Sequence, residues 1–166
     1  MSASPNWRPM KAGDIAAVTA ISDQVHGAFT EGADVYADRL TLYPAGCFVL
    51  EQDGHVRGYL ITHPWMAADP PALHRLLGAM PAKADCYYLH DLAILPNMQG
   101  GGAGSAAMRH VVDAAREAGQ NRILLMAVNG ADSFWQRQGF ADMSDRIAPA
   151  KRASYGPDSF FMGLEI

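Results

Sequence analysis

Tyr87-Tyr88-Leu89-His90-Asp91-Leu92-Ala93-Ile94-Leu95-Pro96-Asn97-Met98-Gln99-Gly100-Gly101-Gly102-Ala103-Gly104 is the stretch that decides the fold. Residues 87–95 are a mostly apolar run with β-formers, and Pro96 stops it, which predicts a buried strand. A glycine cluster follows at 99–104. From there to Ala118 the pattern is helical, with Ala107, Met108, Val111, Val112 and Ala115 on one face and Gly119 where a C-terminal cap belongs. Residues 123–128 read as a second buried strand. Strand, helix and strand in this order predict a right-handed parallel crossover.

Four glycines within six positions at the start of a helix are a costly connection, since a turn needs one at most. They leave backbone N–H groups open to a ligand, and the helix dipole behind them favours an anion such as a pyrophosphate. A P-loop does not fit, because no Lys followed by Ser or Thr sits in register. Gly102, Gly104 and Ala107 match G-x-G-x-x-A of the dinucleotide loop. However, the next strand ends in Val128-Asn129, where an acidic residue should grip a ribose, and about 60 residues remain, too few for a doubly wound domain.

Outward from this core, residues 6–10 read as a short strand. Asp14 opens a helix whose Ile15, Val18, Ile21 and Val25 share a face. Residues 26–34 read as a loop, 35–42 as a helix ended by Pro44, and 47–52 and 56–63 as strands joined by the hairpin signal Asp53-Gly54. A proline-rich loop at 64–71 precedes a short helix expected at 72–80. Residues 129–138 predict a helix ended by Gly139, and 158–165 a last strand. The order β-α-α-β-β-α-β-α-β-α-β-β is an α/β fold with a mixed sheet, read as one domain over 1–166.

The 166 residues carry 13 Lys and Arg against 17 Asp and Glu, a net charge of −4. With no basic stripe, nothing drives binding to nucleic acid. No apolar stretch approaches the roughly 20 residues needed to span a bilayer. The first 11 residues lack the apolar segment of a signal peptide, and the expected location is the cytoplasm. Cys47 and Cys86 each open an apolar run and read as small buried strand residues. His26, His55, His63, His74 and His110 show no ligand spacing, so no metal is expected. A C-terminal edge strand could pair with a second chain as a homodimer.

Three motifs together resemble the GCN5-related N-acetyltransferase (GNAT) superfamily. Gln99, Gly102 and Gly104 match its Q/R-x-x-G-x-G/A loop, Leu92-Ala93-Ile94-Leu95-Pro96 its preceding strand, and Asn129 with Phe134-Trp135 and Gly139-Phe140 its later helix. The resemblance covers residues 86–140 by motif and 7–65 by pattern. Tyr88-Leu89-His90 and Phe134-Trp135-Gln136-Arg137-Gln138-Gly139-Phe140 look most like the arylalkylamine N-acetyltransferases. The resemblance implies acetyl-CoA as donor and the primary amine of a small molecule as acceptor, with direct attack in a ternary complex. The alternative is an acyl-CoA-binding module of the same fold with little turnover.

On this resemblance, Leu92, Ala93 and Ile94 hold the pantetheine arm and the acetyl carbonyl. Gln99, Gly100, Gly101, Gly102, Ala103, Gly104 and Ser105 form the pyrophosphate loop. Asn129, equally placed to cap a helix, contacts the cofactor arm. Period-two alternation puts Tyr88, His90, Leu92 and Ile94 on one face, which the resemblance turns toward the cleft, and points Asp91 the other way. Tyr88 stands where many relatives have a base, and His90 has the unperturbed chemistry of one. Trp135 replaces the tyrosine that relatives use as acid, and an indole N–H is no usable acid. Tyr155 is the expected substitute, with Trp135 walling the cofactor channel. The acceptor pocket is expected from 26–34, Tyr36 and 64–71.

Overall fold

In the computed structural model, which describes residues 3–166, one seven-stranded sheet organises the chain. Its strands are β1 (Asn6–Pro9), β2 (Cys47–Gln52), β3 (His55–Trp65), β4 (Cys86–Ile94), β5 (Arg122–Ala127), β6 (Ala141–Asp142) and β7 (Phe160–Glu165), in the spatial order β1-β2-β3-β4-β5-β7-β6. Only β4 and β5 run parallel; every other neighbouring pair is antiparallel. Helices α1 (Ile15–His26) and α2 (Ala33–Leu42) cover one face. There Met10, Val18, Ile21 and Tyr36 pack on Val49, Tyr59, Ile61 and Ala93. Helix α3 (Ala103–Glu117) covers the other face, where Ala107, Val111 and Ala115 meet Leu60, Tyr87, Leu89, Ile123 and Leu125.

The β4-α3-β5 crossover forms as the sequence predicts. Helix α3 ends at Gly119 (φ +75°), whose N–H donates to the Arg116 carbonyl while the Gln120 N–H donates to that of Ala115. Only a residue free of a Cβ penalty closes the helix this way. Both cysteines are buried, free strand residues, and burial pushes each thiol up to about 12.

Several expectations fail. The helix expected at 72–80 is irregular chain. Side chains capture the backbone groups a helix needs: Glu31 accepts the His74 N–H and Asp38 that of Leu77, while Arg39 donates to the Arg75 carbonyl. The helix expected at 129–138 shortens to α4 (Asp132–Arg137), because Asn129 (φ +54°) and Gly130 make a turn closed by the Ala131 N–H on the Val128 carbonyl. Ala131 occupies the N-cap position, so Asn129 is no cap. The last strand is not the edge of the sheet: β7 lies between β5 and β6, which pairs with it at Met162 and Gly163. A short helix, α5 (Pro149–Ala153), forms where none was expected.

The last correction matters most. The β3–β4 register pairs Ile61 with Asp91 but Thr62 with Leu89, so His90 is an extra, bulged residue. A bulge shifts the pleat by one position. Tyr87, Leu89 and Leu92 therefore pack toward α3, while Tyr88 and Ala93 face the opposite side. The predicted common face of Tyr88, His90, Leu92 and Ile94 does not exist, and His90 and Asp91 come to one cavity. Among the described residues, no helix is long and apolar enough to cross a membrane.

Candidate active site

Strands β4 and β5 pair only at Tyr87 with Ile123 and Tyr88 with Leu124, then diverge. The gap leaves the β5-facing edge of Leu92, Ala93 and Ile94 without a strand partner. It opens into a groove of about 680 Å³ lined by these three residues with Gln99, Gly100, Gly104, Asn129, Phe134 and Trp135. Gln99 Nε2 donates to the Ile94 carbonyl at 2.9 Å and ties the loop to the strand.

At the outer end of the groove, Gly100 (φ +84°) and Gly102 (φ +86°) take left-handed backbone, and nothing lies within 4 Å of where their side chains would be. Gly102 is the N-cap of α3, and the first bond of the helix runs from the Ala106 N–H to the Gly102 carbonyl. The amides of Ala103, Gly104 and Ser105 thus have no partner within the helix. Unpartnered amides at a helix N-terminus are donors that an anion can meet. Ser105 and Gly101 are exposed, whereas Ala103 is buried, with its carbonyl accepting from the Trp7 indole at 3.0 Å. Trp135 packs edge-on between Phe134 and Phe140 and walls the inner groove.

The inner end of the groove continues into a cavity of about 260 Å³ that shares Val25, Leu92, Asn129, Ala131 and Trp135 with it. Two His–carboxylate pairs line this region. His90 Nε2 lies 2.8 Å from Glu31 Oε1, with both side chains 4% exposed. His26 Nε2 lies 2.6 Å from Asp91 Oδ1, with side chains 21% and 10% exposed. Glu31 also accepts the His74 N–H at 2.8 Å, and Asp91 the Tyr59 hydroxyl at 2.6 Å. Burial alone would raise the Glu31 carboxyl, but the hydrogen bond and charge of His90 override it and hold it at about 2. Burial would likewise lower His26, and the bond to Asp91 outweighs it and raises His26 above its ordinary value.

A carboxylate only accepts, so each ring presents its Nε2–H to the acid and keeps Nδ1 for other chemistry. A third histidine, His63, sits behind His90 with ring centroids 6.2 Å apart; its Nδ1–H donates to the Pro64 carbonyl, and burial lowers it to about 3, so it is neutral.

A smaller pocket of about 50 Å³ lies beside the pairs, lined by Phe29, Pro71, Leu73, Tyr88 and Tyr155 together with His26, Glu31, His90 and Asp91. The structure thus brings Tyr88, His90 and Tyr155 together. Tyr155 lines this pocket but neither larger cavity, and its hydroxyl donates to the Pro71 carbonyl. Burial raises both phenols. Tyr36 lines none of the three; its hydroxyl braces the loop by accepting the Glu31 N–H. Glu31 and His26 were missed as site residues. The only signal was their place in the 26–34 stretch assigned to the acceptor pocket. Asp91 was assigned to the opposite face, and the bulge explains the error.

A strand pair that splays beside a glycine loop at a helix start is a family geometry as well as a local one, and residues 17–140 match the acetyltransferase (GNAT) family. The chain belongs to that family. The chain is 35% identical over 75 residues to an amino-acid acetyltransferase of Neisseria meningitidis, a match covering 45% of this chain and 17% of that protein. The chain therefore spans less than a fifth of the curated relatives it matches. Ard1 from Thermoplasma volcanium superposes with a TM-score of 0.72 at 15% identity over 99% of both chains. N-acetylglutamate synthase from Neisseria gonorrhoeae, solved with coenzyme A and N-acetyl-glutamate, gives 0.73 at 20% identity over 98% of this chain and 35% of that one.

Proposed function

We propose that the acetyltransferase moves the acetyl group of acetyl-CoA to the primary amine of a small molecule by direct attack, with His90 as the base. The observation that carries this reading is the buried His90–Glu31 pair, whose His90 ring lines the cavity at the inner end of the groove. Acetyl-CoA, the donor that the family uses, supplies an activated thioester. The amides of Gly100 to Ser105 would hold its pyrophosphate, and the unpaired β4 edge at Leu92 to Ile94 would hold its pantetheine arm and acetyl carbonyl.

The amine attacks as its free base and loses one N–H proton as the amide forms, so the step needs a proton acceptor. Glu31 fixes the His90 Nε2–H and leaves Nδ1 to take the amine proton. The ionised carboxylate then stabilises the imidazolium that forms. Tyr88, Phe29, Leu73 and Pro71 supply an apolar wall for the body of the acceptor. Trp135, where relatives carry a phenol, favours a second reading, an acyl-CoA-binding module without turnover.

The test is release of free thiol from acetyl-CoA over a panel of primary amines. Release with at least one amine, together with the N-acetyl product, supports catalysis. Tight coenzyme A binding without release supports the binding module. Failure to bind coenzyme A at all overturns both.

A further inference from the structure

The reaction proposed above leaves one proton unassigned. As the amine nitrogen bonds to the acetyl carbon, the C–S bond breaks and its electron pair goes to sulfur. An alkyl thiol has a pKa of roughly 8.5, so at neutral pH the departing thiolate gains from receiving a proton as it forms. Trp135 cannot give one. The Tyr155 hydroxyl is turned to the Pro71 carbonyl and lies outside both larger cavities. Tyr88 likewise lines only the small pocket.

We propose that His26, oriented by Asp91, is the general acid that protonates the departing thiolate, in place of the phenol that Trp135 displaces. This rests on the reaction above. His26 lines the cavity that shares Leu92, Asn129 and Trp135 with the donor groove, and it also lines the acceptor pocket. It is the last residue of α1, where the helix dipole favours a cation. The groups around it also favour one: Asp91 from β4 bonds its Nε2, Glu31 from the following loop adds negative charge, and Tyr59 from β3 holds the second oxygen of Asp91. His90 from β4 also lines both pockets, and neither pocket is lined by Lys or Arg among the described residues.

The step balances for an amine that attacks as the free base. Its N–H proton passes to His90 Nδ1 as the C–N bond forms, and His26 gives its Nδ1 proton to sulfur as the C–S bond breaks, becoming neutral while keeping the Nε2–H on Asp91. His26 is the more exposed of the two rings, so solvent can return its proton before the next turnover. One cleft thereby holds a proton donor and a proton acceptor of the same residue type, kept apart by their carboxylate partners.

The experiment compares wild type, His26→Gln and Asp91→Asn with acetyl-CoA and with an acetyl thioester of p-nitrothiophenol, whose thiolate leaves without a proton. With acetyl-CoA, kcat of His26→Gln should fall about tenfold or more at neutral pH and lose the descending limb of the pH profile. With the aryl thioester, the variant should stay within about threefold of wild type, since the acid has nothing to assist. Independently of turnover, NMR titration of the His26 ring in the free protein should show its proton affinity dropping in Asp91→Asn. A wild-type descending limb retained in His26→Gln, or an equal loss with both donors, overturns the role of His26 and leaves His90 standing. No thiol release by wild type with any amine overturns the reaction and this proposal with it.

Discussion

The two His–carboxylate pairs have the same chemistry and different surroundings. His90–Glu31 is sealed, and its carboxylate is tied to the backbone of the 71–77 segment through His74. His26–Asp91 sits nearer solvent at a helix end, and its carboxylate is tied to the sheet through Tyr59. His90 and Asp91 are neighbours in sequence, yet each serves a different pair. An uninterrupted strand would point them to opposite faces. The bulge at His90 lets one strand contribute a ring to the first pair and a carboxylate to the second. Depth and partner are what distinguish the two histidines, and the proposed split into base and acid rests on them.

The largest effect should come from His90→Gln, which removes the proton acceptor. Measured by thiol release, kcat should fall about a hundredfold at neutral pH with KM for acetyl-CoA nearly unchanged. Full kcat would pass the base to the other pair and reverse the comparison. Glu31→Gln keeps the ring but loses the charge that orients it, and kcat should fall about tenfold.

The pairs also carry opposite pH signatures in stability. Glu31 is held at about 2 against its ordinary 4.5, so its stabilisation is full above the ordinary value and disappears as pH falls toward about 2. Thermal melts of Glu31→Gln should show a deficit at pH 7 that closes toward pH 3. His26 is raised, so its stabilisation is full below the ordinary value of 6.5 and disappears as pH rises through the raised one. His26→Gln should therefore melt below wild type at pH 5.5 and match it at high pH. Parallel pH trends in the two variants would dissolve the distinction. The smallest effect belongs to Trp135→Phe. A wall residue that donates no proton should cost less than about tenfold in kcat and act mainly on donor KM. A hundredfold loss of kcat with donor binding intact would give the indole a chemical role and weaken that of His26.

The groove beside the glycine loop was legible in the sequence, and the cluster of His–carboxylate pairs was not. The strand at 87–95, the glycine cluster, the helix to Glu117 and its Gly119 cap all follow from rules spanning a few residues: apolar periodicity, proline stops and left-handed turns. Leu92, Ala93, Ile94, Gln99, Gly100, Gly104, Asn129 and Trp135 line one groove because they sit within or beside those elements. The pairs join residues 59 and 65 positions apart, and nothing in either local stretch encodes such a contact. The expected helix at 72–80 gave way because polar side chains from residues 31–39 competed for its backbone groups. The face of Asp91 was set by the register of β4 against β3, since one extra residue at His90 inverts everything a period of two foretells. Sequence alone determined where a strand, a glycine loop and a helix start would meet. Tertiary structure decided which acids meet which histidines, because a bulge and a long-range ion pair exist only once distant strands and helices have packed.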